Sequence, residues 1–303
     1  MAAVFRGIIP PVCTILDEDG NLDRKGMGQL IDFLIETGVN GLLFLGSSGE
    51  FSQMSVQERK EVAAFATDYV HQRVPVIIGT GSTNTREAIE LSRHAEQVGA
   101  DGILVVNPYY WPLSEKNLLQ HYGDIVESVS IPVLLYNFPG LTGQDLTPDF
   151  VLQLVDRYPN IAGIKETTDE AGHIREMIIK VKGKFPNFSV FSGYDDHLLN
   201  TLFLGGDGSI ASSVNFAPEI SLGIYQAFQN GEMETALKLH QRLAYLPLLY
   251  KLDSPFVNVV KEAIALRGIN VSTYVLPPAR PLDPLKKEEL KKILQKAGVL
   301  SSS

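Results

Sequence analysis

The chain reads as an α/β protein, a TIM-type (β/α)8 barrel carrying a C-terminal helical extension, and three observations lead there. Eight short apolar, β-rich runs recur between Ile8 and Ser212, and polar stretches of helical period lie between them. One wording also repeats: Thr37–Leu45, Val98–Val106 and Leu204–Ser212 each pass from a Gly through an Asx-Gly pair into a strand-like run. Strands covered by helices outside and by the barrel interior inside are buried on both faces, so they read as continuous apolar runs. Eight βα units in one chain favour a closed barrel. An open doubly wound sheet is the competing architecture, but no Gly-x-Gly-x-x-Gly follows the first strand to support a dinucleotide site.

In order, the predicted strands are Ile8–Leu16, Gly41–Leu45, Val74–Gly79, Gly102–Val106, Pro132–Tyr136, Ile161–Lys165, Phe188–Ser192 and Gly208–Ser212. Helices are expected at 23–37, stopped by Gly38, and at 84–98, stopped by Gly99. A third, at 55–71, has Ser55 as N-cap and Glu58 three residues on, the spacing of a capping box. After Ser212 the strand signals stop, and residues 217–229, 232–247, 255–267 and 284–297 read as helices. The first completes the eighth βα unit; a Pro-rich link, Leu276–Pro284, precedes the last. The expected division is 1–229 for the barrel and 230–303 for a helical extension packed on it.

At 303 residues and 45% hydrophobic the chain is long enough for one large core. Its 26 basic and 35 acidic side chains give a formal charge of −9, which leaves no basic footprint for nucleic acid or an anionic membrane. No window approaches the roughly 18 uncharged apolar residues of a membrane span. The apolar stretch Gly7–Leu16 is broken by Pro10 and Pro11 and lacks a small-residue cleavage site, so no signal peptide is expected. One cysteine, Cys13, makes no internal disulfide, and the six histidines show no metal-ligand spacing. The expectation is a cytoplasmic protein without metal, nucleic-acid or membrane partners.

Residues at the C-terminal ends of barrel strands, and the loops just after them, face the active site. That rule selects Ser47 and Ser48, Tyr109 and Tyr110, Tyr136, Lys165, the Gly193–Asp196 loop, and Ser212 with Ser213. Lys165 is the one lysine among them. It closes the apolar run 161–164, where desolvation disfavours the ammonium and so favours the neutral amine that attacks a carbonyl. The plainer reading is a strand-end lysine that reaches solvent or pairs with Glu166. Tyr136 ends the preceding strand and would place a phenol beside that amine to move protons; alternatively it is an interior barrel tyrosine capped by a carbonyl. The Gly46–Glu50 turn offers hydroxyls and backbone N–H groups that suit a carboxylate, or serves as an ordinary turn with a helix cap. The stiff aromatic loop Asn107–Pro112 reads more as a packing or subunit-contact surface than as a catalytic one.

Taken together, Gly46–Glu50, Tyr136–Pro139, Gly163–Glu166 and Gly206–Ser209 resemble the dihydrodipicolinate synthase/N-acetylneuraminate lyase family of class I pyruvate aldolases, in order and over essentially the whole chain. The resemblance implies Lys165 as the Schiff-base lysine, Tyr136 as general acid/base, and Ser47 and Ser48 as binders of the keto acid's carboxylate. It implies that Tyr110 reaches into a neighbouring subunit's site in a homotetramer, a dimer of tight dimers. The chain departs from the synthases at Leu141, where they carry an arginine for the second substrate's carboxylate. A hydrophobic side chain cannot replace that charge-assisted contact.

The segment Tyr136–Leu146 and the stretch from Ser192 look most like the branch that cleaves 2-keto-3-deoxy sugar acids. By that likeness Thr167, Asp195, Asp196 and Ser212 become candidate substrate contacts, the aspartates being equally well read as a helix cap. The expected activity is reversible cleavage of such an acid to pyruvate and an aldehyde, through a covalent imine on Lys165 and without a cofactor. The alternatives within the resemblance are dihydrodipicolinate synthesis and N-acetylneuraminate cleavage. Outside it stand a catalytically idle 2-keto acid sensor and a barrel that binds phosphate at Gly205–Gly208.

Overall fold

Main-chain hydrogen bonding organises the chain around eight parallel strands in the computed structural model, which describes residues 5–301. They are β1 (Gly7–Ile8), β2 (Leu42–Phe44), β3 (Val76–Gly79), β4 (Gly102–Val106), β5 (Val133–Asn137), β6 (Ile161–Glu166), β7 (Ser189–Ser192) and β8 (Gly208–Ser209). Each strand from β2 to β7 pairs with the next, and β8 pairs with β1 through Gly7 opposite Gly208. The ring closes between β1 and β2 through residues just past β1: Val12 N donates to Leu43 O at 2.7 Å and Leu43 N to Pro10 O at 3.0 Å. This is the expected (β/α)8 barrel.

Two strands are shorter than expected by three residues or more. The run Ile8–Leu16 contributes only Gly7–Ile8 to the ladder and then isolated bridges, because Pro10 and Pro11 have no N–H to donate. The run Gly208–Ser212 pairs only at Gly208–Ser209 and then turns into a 3-10 helix, Ser212–Asn215, which swings Ser212 over the barrel mouth.

Helix punctuation follows the sequence closely. Asp23 caps Arg24–Glu36, and Asn84 caps Thr85–Gln97. Ser55 and Glu58 make the reciprocal capping box of Val56–Val70. Gly38 and Gly99 adopt φ of 89° and 88°, the left-handed conformation that ends a helix at low cost only for glycine.

Beyond Pro218–Gln229 come Met233–Leu243, Val257–Leu266 and Pro284–Lys296. The second helix of this series stops at Leu243 rather than 247, since Pro247 cannot continue it, and a 3-10 stretch, Leu246–Lys251, takes over. Apolar side chains of this region, among them Leu243, Leu249, Val260, Ile264 and Leu294, share one continuous hydrophobic core with the barrel. Among the described residues no helix is long and apolar enough to cross a membrane.

Candidate active site

Register brings the site together. Tyr136 and Lys165 lie opposite each other on β5 and β6, both pointing into the barrel mouth. Lys165 is 4% exposed, and its Nζ sits 4.2 Å from the centre of the Tyr136 ring. The pairing with Glu166 that the sequence left open does not form: the glutamate is directed to the far side of β6, against Asn137 and His173.

The Ser47–Gly49 turn closes over this pair. Ser47 Oγ lies 3.3 Å from the Tyr136 hydroxyl, and Ser48 Oγ is 2.6 Å from Ser212 Oγ across the mouth. The turn is pinned at its C-terminal end. Thr14 Oγ1 donates to Gly49 O at 2.8 Å. Glu50, left-handed at φ 58°, is bound through its carboxylate to the buried Lys261 and to the Leu276 amide.

These side chains line a cavity of about 200 Å³ together with Thr167, Gly193, Tyr194, Asp195, Phe138, Tyr250 and Phe256. Gly193 is required there by space: a Cβ would stand 1.9 Å from Thr167 Oγ1. That threonine hydroxyl has no hydrogen-bond partner among the described residues and is left over for a ligand. Asp195 is buried, accepting from Ser213 N at 3.2 Å and from Tyr250 OH at 2.7 Å. Burial pushes its carboxyl up, against those two hydrogen bonds, and burial together with Asp195 holds the Tyr250 phenol well above its usual range. A wider, largely apolar vestibule of about 310 Å³ adjoins, sharing Ser47, Tyr136, Phe138 and Phe256. Leu141, 59% exposed, sits on its rim, and among the described residues lining either space the only basic side chain is Lys165.

The structure thus gathers Lys165, Tyr136, Ser47, Ser48, Thr167, Asp195 and Ser212 in one cavity. It leaves two candidates outside. Tyr110 is 75% exposed beside the mouth, its ring edge-on to Trp111 at 5.3 Å, while Tyr109 is the one that lines the vestibule. Asp196 is half-buried in the 3-10 turn Asp195–His197 and does not line the cavity. Strand-end reasoning missed Phe138, Tyr250 and Phe256. Phe138 stands inside the Tyr136–Pro139 motif, which was a usable signal; Tyr250 and Phe256 arrive from the helical tail, where no local pattern marks them.

A (β/α)8 barrel with a buried lysine beside a tyrosine, under a serine-rich turn at its C-terminal mouth, has the layout of a barrel enzyme's active site. The match to known proteins gives the particular family. Residues 4–297 fit the model of the dihydrodipicolinate synthetase family, and the chain belongs to that family. It is 58% identical over 294 residues to the putative 2-dehydro-3-deoxy-D-gluconate aldolase YagE of Escherichia coli K12, covering 97% of each chain. It is 50% identical over 296 residues to the probable 2-dehydro-3-deoxy-D-pentonate aldolase YjhH of the same organism, covering 98% of each. The crystal structure of YagE in complex with pyruvate superposes with a TM-score of 0.97 at 57% identity, covering 98% of this chain and all of that one.

Proposed function

We propose that this carbon–carbon lyase reversibly cleaves a 2-keto-3-deoxy sugar acid into pyruvate and an aldehyde through an imine on Lys165. The observation that carries the reading is the buried Lys165 amine lying on the Tyr136 ring inside a cavity whose other polar side chains are hydroxyls and the Asp195 carboxyl. Ser47 and Ser48 hold the carboxylate. The Lys165 nitrogen adds to the 2-keto carbon, Tyr136 gives its phenolic proton to the carbinolamine hydroxyl so that it leaves as water, and the protonated imine becomes an electron sink beside the phenolate. Tyr136 takes the proton of the C4 hydroxyl, the C3–C4 electron pair moves toward the imine nitrogen, and the aldehyde departs. The enamine is then protonated at C3, and water releases pyruvate and the free amine. The imine supplies the electron sink, so this chemistry requires no metal or organic cofactor.

Thr167 and Ser212 are the best-placed contacts for the sugar hydroxyls, Asp195 being engaged with Tyr250 and Ser213. Among the described residues the rim offers no arginine for a second carboxylate, which favours a sugar-derived aldehyde over aspartate semialdehyde. The exposed Tyr110 and Trp111 suit contact with a second subunit in a homotetramer, Tyr110 completing the partner's site. The buried free thiol of Cys13 fits a reducing cytoplasm.

The test is a rate comparison in the cleavage direction over five- and six-carbon 2-keto-3-deoxy acids, beside condensation of pyruvate with aspartate semialdehyde. Faster turnover of the sugar acids supports the reading. Faster turnover of aspartate semialdehyde overturns it.

A further inference from the structure

One residue past the reacting pair, the same two strands carry side chains pointing away from the cavity. Asn137 follows Tyr136 on β5, and Glu166 follows Lys165 on β6. Alternation along a strand sends neighbours to opposite faces, and both of these side chains are fully buried. They face each other in register, and Asn137 Nδ2 donates to Glu166 Oε2 at 3.0 Å. The same amide donates to Asp145 Oδ1 at 2.8 Å, while Asn137 Oδ1 accepts from Leu146 N at 3.0 Å. His173, on the helix Ala171–Met177, closes the set. Its Nε2 is 3.1 Å from Asp145 Oδ2, and its Nδ1 is 3.2 Å from Glu166 Oε2, at ion-pair distance but off the hydrogen-bonding angle.

None of the four lines the cavity, so the proposed chemistry uses none of them directly. Yet a carboxylate taken wholly out of water is costly unless it is paired. Burial pushes Glu166 up, against His173 and Asn137. Burial works to lower His173, but Asp145 and Glu166 overcome it and push the imidazole up to about 10, so the ring is a cation at neutral pH. The cation and the amide clamp two strand ends at the level where Tyr136 must meet Lys165.

We propose that Glu166 and His173, braced by Asn137 and Asp145, are positioning residues that lock the ends of β5 and β6 and so hold the Tyr136 phenol and the Lys165 amine in reacting register. The proposal rests on the imine reading above. Without the His173 charge the buried Glu166 carboxylate loses its ion-pair partner and is relieved by taking a proton or by moving the β6 end, and a displacement of about 1 Å between reacting groups costs on the order of 100-fold in rate.

The experiment compares the parent protein with His173→Gln, Glu166→Gln and the double variant. Readouts are kcat, pyruvate KM, the rate at which borohydride traps pyruvate on Lys165, and melting temperature. For His173→Gln the expectation is a fall in kcat and trapping rate of about tenfold or more with KM within about twofold. The double variant regains most of the loss, because a carboxamide keeps the Asn137 contact without a buried charge. Glu166→Asp, which keeps the charge but shortens the arm, behaves like His173→Gln and serves if that variant does not fold. The clamp is overturned if His173→Gln lowers melting temperature alone, or if the double variant is no better than the single. A parent that traps no pyruvate overturns the imine reading and the clamp together; a parent that traps it while His173→Gln keeps pace overturns the clamp alone.

Discussion

Replacing Lys261 by Met tests how the helical tail supports the carboxylate-binding turn. Lys261 and Glu50 are 0% and 2% exposed and form an ion pair, with the lysine also donating to Tyr274 O at 2.6 Å. Methionine keeps most of the volume but removes the charge, leaving the Glu50 carboxylate buried with the Leu276 amide as its remaining hydrogen-bond donor. Breaking a buried pair from one side costs about 3–5 kcal/mol. An unfolding entropy of about 2.1 cal/mol/K per residue makes each kcal/mol worth about 1.6 °C in a chain of 303 residues, so Lys261→Met should melt roughly 5–8 °C below the parent by calorimetry. Pyruvate KM should rise as well, since Glu50 ends the turn that carries Ser47 and Ser48. Lys261→Met/Glu50→Gln should recover part of both losses by removing the uncompensated charge. A Lys261→Met variant melting within about 2 °C of the parent, a loss below roughly 1.3 kcal/mol, would refute this account of the anchor.

Tyr136→Phe should lower kcat for cleavage about 100-fold or more while borohydride still traps pyruvate slowly, because the phenol moves protons and the lysine forms the bond; undiminished turnover would remove Tyr136 from the mechanism. Ser48→Ala should raise pyruvate KM by roughly tenfold, the worth of one hydrogen bond to a charged group at about 1.5 kcal/mol, with kcat little changed. His173 binds its proton more tightly when folded, at about 10 against an ordinary 6.5. Its contribution to stability is therefore complete below 6.5 and lost as pH rises toward 10. The melting-temperature gap between parent and His173→Gln should narrow over that window, and a gap independent of pH would contradict the assignment.

The barrel was legible because period and punctuation agree. β4 lies where its apolar run predicted, and β2, β3, β5, β6 and β7 differ from their runs by a residue or two at an end. The departures come where hydrophobicity and hydrogen bonding part company: Ile8–Leu16 is apolar throughout, yet Pro10 and Pro11 cannot donate to a ladder. Lys165 and Tyr136 were readable from strand ends, since a parallel barrel delivers those positions to one mouth. Asp195 was readable as a position but not as a hydrogen-bonding state, because Tyr250, 55 residues later, decides it. Buried groups that meet only across the fold, such as Glu50 with Lys261, leave no local signature in the chain.

The central claim is a covalent bond between one amine and one keto carbon. A crystal structure of the protein soaked with pyruvate should show continuous density from Lys165 Nζ to the C2 atom, with the carboxylate on Ser47 and Ser48 and the Tyr136 hydroxyl alongside. Pyruvate lying unlinked in the cavity, joined to another lysine, or absent from the barrel mouth would contradict it.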